Sequence, residues 1–462
     1  MILNGILTFL KWGSIGIFLL LFFFIIIALI RTLFFKKLKK KIINLNDDVD
    51  NLLGEKLLEL IKIKTTSFQD EAGYHEFRER LKNDYPLIHQ FFNKEKIGDN
   101  AVFTYKDHIE HAPNLLFATH IDYKATYIEP TIENNRLYGT GVFDAKSLLF
   151  VIFEAVENIL RTEGGLGCNL TIVMTTDDET TKEGGSLIVQ QFLRRGKFFD
   201  LVLEEGSGIV DPDRVGLQSN YAFIGLGVTG EAVIRFKSEK EAELMSFLKA
   251  IQTKDLYKAR IDKYARTMIH NICRDVKFIH RLCFANLLLF KQIVKKIIRK
   301  EYPEIAQLLQ TTIQTGEIQN NGQYFFDIKF HLSTQDTAAD AVLALADYME
   351  KYKIEYEIIE IKEASSFTET ETEGYSIIKD VAEAVFQDIY ITPVILTKLS
   401  EKRNFDKVSD CVLRFSPLYY PMEVIKFHEQ TEFVPLKSLC YGIKFFVEVL
   451  NRYKKTPLGV KN

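Results

Sequence analysis

The chain has 462 residues, 47% of them apolar, enough for two or three domains with substantial cores. Its formal net charge is −3, and the body holds no basic motif with interleaved aromatics, so nothing points to a nucleic-acid partner. Five cysteines (168, 273, 283, 411 and 440), an odd number without a C-x-x-C pair, argue against both a disulfide framework and a cysteine-held zinc.

Residues 12–30 run nineteen positions without a charge, centred on IGIFLLLFFFIIIALI. That length matches the roughly 20 helical residues needed to cross the hydrocarbon core of a bilayer. The apolar region of a cleaved signal peptide is about 7–15 residues and ends in a small-residue cleavage site. Here the run continues into RTLFFKKLKKK, so an uncleaved single-pass anchor over 12–35 is expected. Arg31, Lys36, Lys37, Lys39, Lys40 and Lys41 follow the span and only Lys11 precedes it, a bias that places the body in the cytosol. Residues 36–50 read as a charged, solvated linker. The sequon Asn169-Leu-Thr lies at the start of an expected buried strand and carries little weight.

Beyond the linker, LLGEKLLELIKIKT (52–65) has helical periodicity. PNLLFATHID (113–122) is a short strand, and RLYGTGVFDAK (136–146) is a glycine-rich turn leading into the helix SLLFVIFEAVENILRT (147–162). CNLTIVMTT (168–176), GGSLIVQQFLRRG (184–196) and FDLVLEEGSG (199–208) then read as strand, helix and strand. Such alternation implies βαβ units around a largely parallel sheet. The pattern changes at FIGLGVTGEAVIRFKSEK (223–240) and GQYFFDIKFHLS (322–333), which alternate like antiparallel strands with helices between and after them. The first pattern resumes at ETEGYSIIKDVAEAVFQ (371–387). The expected architecture is an α/β domain over 51–228 and 360–455, with a central mostly parallel sheet, interrupted by an α+β insert over 229–359.

In such sheets functional groups gather beyond the carboxyl ends of the strands. His120 and Asp122 leave one strand end, and Asp144 closes the glycine turn. Asp177, Asp178 and Glu179 leave a second strand, Glu204 and Glu205 a third, and KFHEQTEF supplies His428. Each has a plain alternative: a hydrogen-bonded histidine, a helix cap at Asp144, a solvated carboxylate pair. Together they form a normal ligand set for Zn²⁺, Mn²⁺ or Co²⁺, and five ligands suit two ions with one bridging carboxylate. Asp122 suits the free ring N–H of His120, fixing its tautomer. Nearby dications also explain how DDE can crowd three carboxylates together.

These stretches resemble the zinc-dependent amidohydrolases and peptidases that include carboxypeptidase S, aminoacylase and glutamate carboxypeptidase. THID matches the family's His-x-Asp, YGTGVFDAK its Y-G-R-G-x-x-D-x-K, DDE its Asp-Glu-Glu, EEG its Asp-Glu-Gly, and HEQTE its terminal His-x-x-Asn/Thr-Glu. Order and spacing agree over about 113–230 and 390–440, and the hydrophobic N-terminus is similar to the carboxypeptidase S branch. The resemblance implies a di-zinc peptidase fold with a lid and two Zn²⁺, Co²⁺ or Mn²⁺ serving as alternatives. It places one zinc on His120 and Glu205, the other on Glu179 and His428, with Asp144 bridging. It makes Asp178 the general base, Asp122 its catalytic companion behind His120, and Arg403 the grip on a substrate carboxylate. The implied substrate is a peptide or an N-acyl-amino acid. The insert is a homodimerisation element by the same resemblance. By resemblance the body is lumenal or vacuolar, against the cytosolic charge bias.

Departures from the family pattern are specific. Asp178 stands where the family has Glu, one methylene longer. GEAVIRFKSEKEAEL lacks the lid histidine that helps stabilise the oxyanion, leaving His270 or His280 as substitutes in space. Thr140 replaces an Arg, Glu401 an Asp, and Asp327 and Lys329 stand in the lid strand for Asn and Arg. Two expectations follow: an active membrane-anchored hydrolase with an Asp base, or a pseudo-peptidase that keeps its metals for structure or ligand binding.

Overall fold

The computed structural model describes residues 2–45, 49, 51–66, 71–123, 126–181, 183–253, 256–397, 401–421 and 432–454. Its N-terminal element is a single long helix, α1 (Ile2–Phe34). Within it, Lys11–Phe34 is long and apolar enough to cross a membrane, and almost none of it is covered by the protein.

The body begins with a helix at Asn51–Lys62, whose apolar residues Leu57, Leu60 and Ile61 turn inward. The strands that carry the site follow: β1 (Asn114–His120), β2 (Asn169–Thr175), β3 (Leu201–Glu204) and β4 (Tyr221–Val228). Between β1 and β2 runs α2 (Ser147–Glu163), buried along most of its length and closed by Gly164 at φ 74°, a conformation that suits glycine. Every residue of β2 is buried, as expected of a strand covered on both faces.

After β4 the chain leaves for the insert. β5 (Glu231–Ser238), β6 (Tyr324–His331) and β7 (Glu355–Lys362) form an antiparallel sheet with shorter strands at Thr312–Thr315 and Gln319–Asn320. β5 alternates buried and half-buried residues, which gives this sheet one apolar face, covered by its own core of Phe236, Phe247, Phe326 and Phe330. The insert also contributes α3 (Lys263–Ile272), α4 (Phe278–Ala285) and α5 (Leu287–Glu301). These helices share a separate core with Tyr221, Phe223, Tyr390 and Phe35, on the side where α1 arrives. The chain returns through β8 (Tyr390–Leu396) and β9 (Val412–Arg414), and α6 (Leu436–Tyr453) packs into the same core as α2.

The main sheet is mixed rather than mostly parallel. Its centre, in the order β2-β1-β3-β9, is parallel. The hairpin Phe92–Ile97 and Asn100–Tyr105 joins β2 antiparallel, and β4 joins β9 antiparallel while carrying β8 parallel on its other side. The expected run 223–240 therefore divides: β4 belongs to this sheet and β5 to the insert. Alternating strand and helix signals identify the parallel centre, but antiparallel edge strands added by hairpins leave no comparable mark in sequence.

Residues 38–43 depart from a solvated linker. Leu38 N–H donates to Arg274 O at 3.2 Å, Ile43 N–H to Asn220 Oδ1 at 3.0 Å, and Asn220 N–H to Lys41 O at 2.9 Å. Lys41 Nζ donates to the carbonyls of Gln387 and Ile389 and lies over the Tyr390 ring. Lysine charge density suggested solvent; Lys39 and Lys40 are exposed, but the Lys41 side chain caps carbonyls that the body leaves open. The sequon is also unavailable, because Asn169 is buried and its amide bonds the backbone of Ile109 and Ala112.

Candidate active site

The register of β1 against β2 pairs His120 with Thr175, so both strands end at the same level. Their exit loops then meet. Asp122, fully buried, accepts the Asp178 N–H on Oδ1 at 3.1 Å and the Glu179 N–H on Oδ2 at 2.9 Å. Asp178 Oδ1 in turn accepts the Thr175 hydroxyl at 2.8 Å. Asp177 has a different task. Its carboxylate takes the Thr181 hydroxyl at 2.6 Å and the N–H groups of Glu183 and Gly184, shaping the turn into the helix Gly184–Arg194. Of the three adjacent acids, the first therefore builds the turn.

On β3 the pleat separates the two glutamates. Glu204 points into the core and meets Arg414 of β9 at 2.8 Å, with both side chains fully buried. Glu205 points to the strand ends, where its Oε2 accepts the Thr119 hydroxyl at 2.8 Å and its Oε1 lies 3.3 Å from His120 Nε2. The other ring nitrogen of His120, Nδ1, stands 3.0 Å from the Asp122 carbonyl and 3.3 Å from its carboxylate.

Among the described residues, His120, Asp122 and Asp178 each offer a ligand atom within 4.8 Å of one another. Two donors on a tetrahedral zinc with bonds of about 2.0–2.1 Å stand roughly 3.3–3.4 Å apart. The His120 to Glu205 separation matches that spacing, and a neutral imidazole facing carboxylates is a suitable donor set for a divalent ion. Burial lowers the affinity of the His120 ring for a proton, but the carboxylates of Glu205, Asp178 and Asp122 outweigh it and hold its pKa well above the ordinary value. Burial works against the Asp122 carboxylate as well, yet the hydrogen bond from His120 and the backbone donors keep it below its usual range.

The remaining site residues are placed less fully. Asp144 lies in the wide helical turn Val142–Lys146, closed by Lys146 N–H to Gly141 O at 3.1 Å, with its backbone described and its side chain outside the described residues. The same holds for Arg403, in the short helix Glu401–Lys407. His428 is outside the described residues altogether. Glu179 is fixed through its backbone to Asp122, and its carboxylate is not one of the group of three. His270 and His280 sit among the helices beside α1, the first against the Phe35 ring and the second 3.5 Å from Glu301.

Several supporting residues stand inside the quoted motifs without a role of their own read from sequence: Gly141 and Lys146 in YGTGVFDAK, and Glu432 in HEQTE. Glu432, buried, accepts the N–H groups of Gly141 at 3.2 Å and Phe143 at 2.7 Å, tying the far end of the chain to the turn that holds Asp144. Gly141, at φ 71°, provides the left-handed residue this turn requires. Lys146 is buried against Phe77 and Tyr123 and donates to the carbonyls of Leu60 and Ile63; burial pushes its pKa down to about 7. Glu432 lies within the HEQTE element, so that motif was the available clue. The hydroxyls of Thr119 and Thr175 had none.

Residues 116–452 match the family described as Peptidase family M20/M25/M40. The chain belongs to this family. It is 21% identical over 437 residues to the N-fatty-acyl-amino acid synthase/hydrolase PM20D1 of Xenopus tropicalis, covering 86% of this chain and 85% of that protein. It is 21% identical over 341 residues to PM20D1.1 of Danio rerio, covering 68% of this chain and 65% of the relative's length. Among solved structures, the M20 family metallo-carboxypeptidase Sso-CP2 from Sulfolobus solfataricus superimposes with a TM-score of 0.59 at 18% identity, over 88% of this chain and all of that one. The M20 assignment makes the chain a member of a hydrolase family whose enzymes typically hold two metal ions.

Proposed function

We propose that this M20 protein is a membrane-anchored, metal-dependent amide hydrolase whose substrates are N-acyl-amino acids or short peptides with a free carboxylate. The observation that carries the proposal is His120 Nε2 at 3.3 Å from Glu205, in a cluster with the carboxylates of Asp122 and Asp178. The names of the PM20D1 relatives favour an acylated amino acid over a peptide.

His120, Glu205, Asp144, Glu179 and His428 would hold the two ions, zinc being our assignment. When bound there, the ions would polarise an amide carbonyl and lower the pKa of water. The chain's own residues do the rest. Asp122 fixes the His120 ring through Nδ1. Asp178 carries the proton from the attacking water to the leaving amine, with Thr175 orienting its carboxylate. Arg403 binds the carboxylate of the amino-acid end as a fork.

A second reading, a metal-holding protein without turnover, draws on one feature. Asp178 is shorter than the family's Glu, and its Oδ1 already accepts the Thr175 hydroxyl. The deciding experiment is metal analysis of the purified full-length chain, with hydrolysis assays on panels of N-acyl-amino acids and dipeptides. Two metals and turnover of the acylated substrates support the proposal. Two metals with no turnover, restored by Asp178→Glu, support the second reading, and absence of metal at near-stoichiometric loading sinks both.

A further inference from the structure

The contact between the anchor and the body has a particular chemistry. Along the exposed end of α1, Ala28 and Thr32 are buried at 1% and 2% exposure, while Leu33 and Phe34 stand at 69% and 80%. The two small residues face Asn286, at the joint between α4 and α5. The Asn286 amide donates to Ala28 O at 3.1 Å and to Thr32 Oγ1 at 3.0 Å. The helix end is held further by Phe35 against His270 and by Arg274 Nε donating to Lys36 O.

This contact lies within the apolar span, not beyond it. Ala28 is six residues short of Phe34, which at about 1.5 Å per residue is roughly 9 Å of depth. Leu288 and Leu289 follow Asn286 closely, and Phe278 and Ile279 begin the helix that ends at it. Leu288 is 93% exposed, Ile279 70%, and Phe278, Leu289 and Ile293 are also exposed. Along α5 the exposed residues turn from apolar to basic: Lys291 already lies between Leu289 and Ile293, and Lys296, Arg299 and Lys300 follow. An apolar tip followed by a basic band is the order of a segment that enters the acyl region and rests on anionic headgroups. In water the tip would leave large apolar side chains uncovered for no gain.

We infer that the α4–α5 tip is a second membrane contact: its apolar residues enter the lipid leaflet beside α1, and its lysines and arginines bind anionic headgroups. The inference rests on α1 being a membrane anchor. Its consequence is that the body is pinned at two points and does not swing freely on a tether.

The test uses the full-length chain in vesicles of phosphatidylcholine and phosphatidylserine, with and without brominated acyl chains that quench tryptophan. Trp12 is the chain's sole tryptophan and reports on the anchor. Trp12→Phe combined with Leu288→Trp, or with Ile279→Trp, reports on the tip. Trp12→Phe with Leu343→Trp, an exposed position on the insert, is the control. The expected result is loss of fluorescence with brominated lipid for Trp12 and for both tip variants, with no loss for the control. Quenching of Trp12 without quenching at either tip position overturns the inference and leaves the anchor intact. Absence of quenching at Trp12 overturns the anchor and the inference together. Tip variants shielded from aqueous quencher and also unquenched by brominated lipid would assign the surface to another protein or a second copy, and also overturn it.

Discussion

Asp122 and Asp178 are joined through the backbone: the Asp122 carboxylate accepts the Asp178 N–H at 3.1 Å, and its second oxygen takes the next amide, that of Glu179. One buried carboxylate thus sets the distance between two strand-end loops while also meeting His120. Replacing it by Asn turns one acceptor into an N–H₂ facing an N–H. Asp122→Asn is expected to lose about 1–3 kcal/mol of stability, the cost of a buried donor left unmet. Metal affinity or turnover should fall by about 10–100-fold, as for other residues that orient a ligand. Thermal melts and metal titration check both. Wild-type behaviour in the two assays would remove Asp122 from the argument.

Asp178 is open to a sharper test, because it sits close enough to His120 and Asp122 to serve as ligand or base. For the base assignment, Asp178→Asn should keep its metal and lose about 10²–10⁴-fold in rate. Elemental analysis of the variant decides the matter, since loss of an ion would make Asp178 a ligand.

Glu204 and Arg414 form an ion pair from which water is excluded on both sides. Breaking one partner leaves a buried charge, a defect typically worth about 3–5 kcal/mol. Glu204→Gln and Arg414→Met should each be destabilised on that scale in urea titrations. The double variant should recover much of the loss. Equal or additive losses would show that the pair is not what holds β3 to β9.

Asp177 caps the turn before the helix Gly184–Arg194, and a Cβ on Gly184 would stand 2.3 Å from its Oδ1. Asp177→Ala is expected to cost about 1–2 kcal/mol, in line with lost helix caps. Gly184→Ala should disturb the same turn despite having a favourable helix residue. Hydrogen exchange of the Glu183 and Gly184 amides reports on both variants.

Cys168 lies buried at the foot of β2, where burial pushes its thiol up to about 12 while Lys454 pulls weakly the other way. A raised folded-state pKa stabilises below the ordinary thiol value and is lost as pH climbs toward 12, because the unfolded chain gives up its proton first. At about pH 8 the folded protein should therefore resist alkylation at Cys168, with the half-buried Cys440 modified earlier. Peptide mass mapping after timed iodoacetamide treatment gives the order.

How much of this was legible in the residues differs by element. THID, DDE and EEG mark strand ends because a short apolar run stops at a charge, and those marks located His120, Asp178 and Glu205. The choice between Glu204 and Glu205 follows from strand alternation only once β9 supplies Arg414 as a partner. The antiparallel edges of the sheet and the strapped segment 38–43 were missed. Both depend on hydrogen bonds to distant backbone, and composition does not register those.

The sequence by itself determined the apolar span, the alternating strands and the chemistry available at their ends, because each is a property of neighbouring residues. Only the tertiary structure decided that Asp177 would shape a turn while Asp178 faces His120, and that α1 would rest on Asn286. These outcomes turn on register between β1 and β2 and on packing across some 250 residues of chain between Thr32 and Asn286. Long-range geometry of that kind is set by the sum of many weak contacts, not by any local pattern.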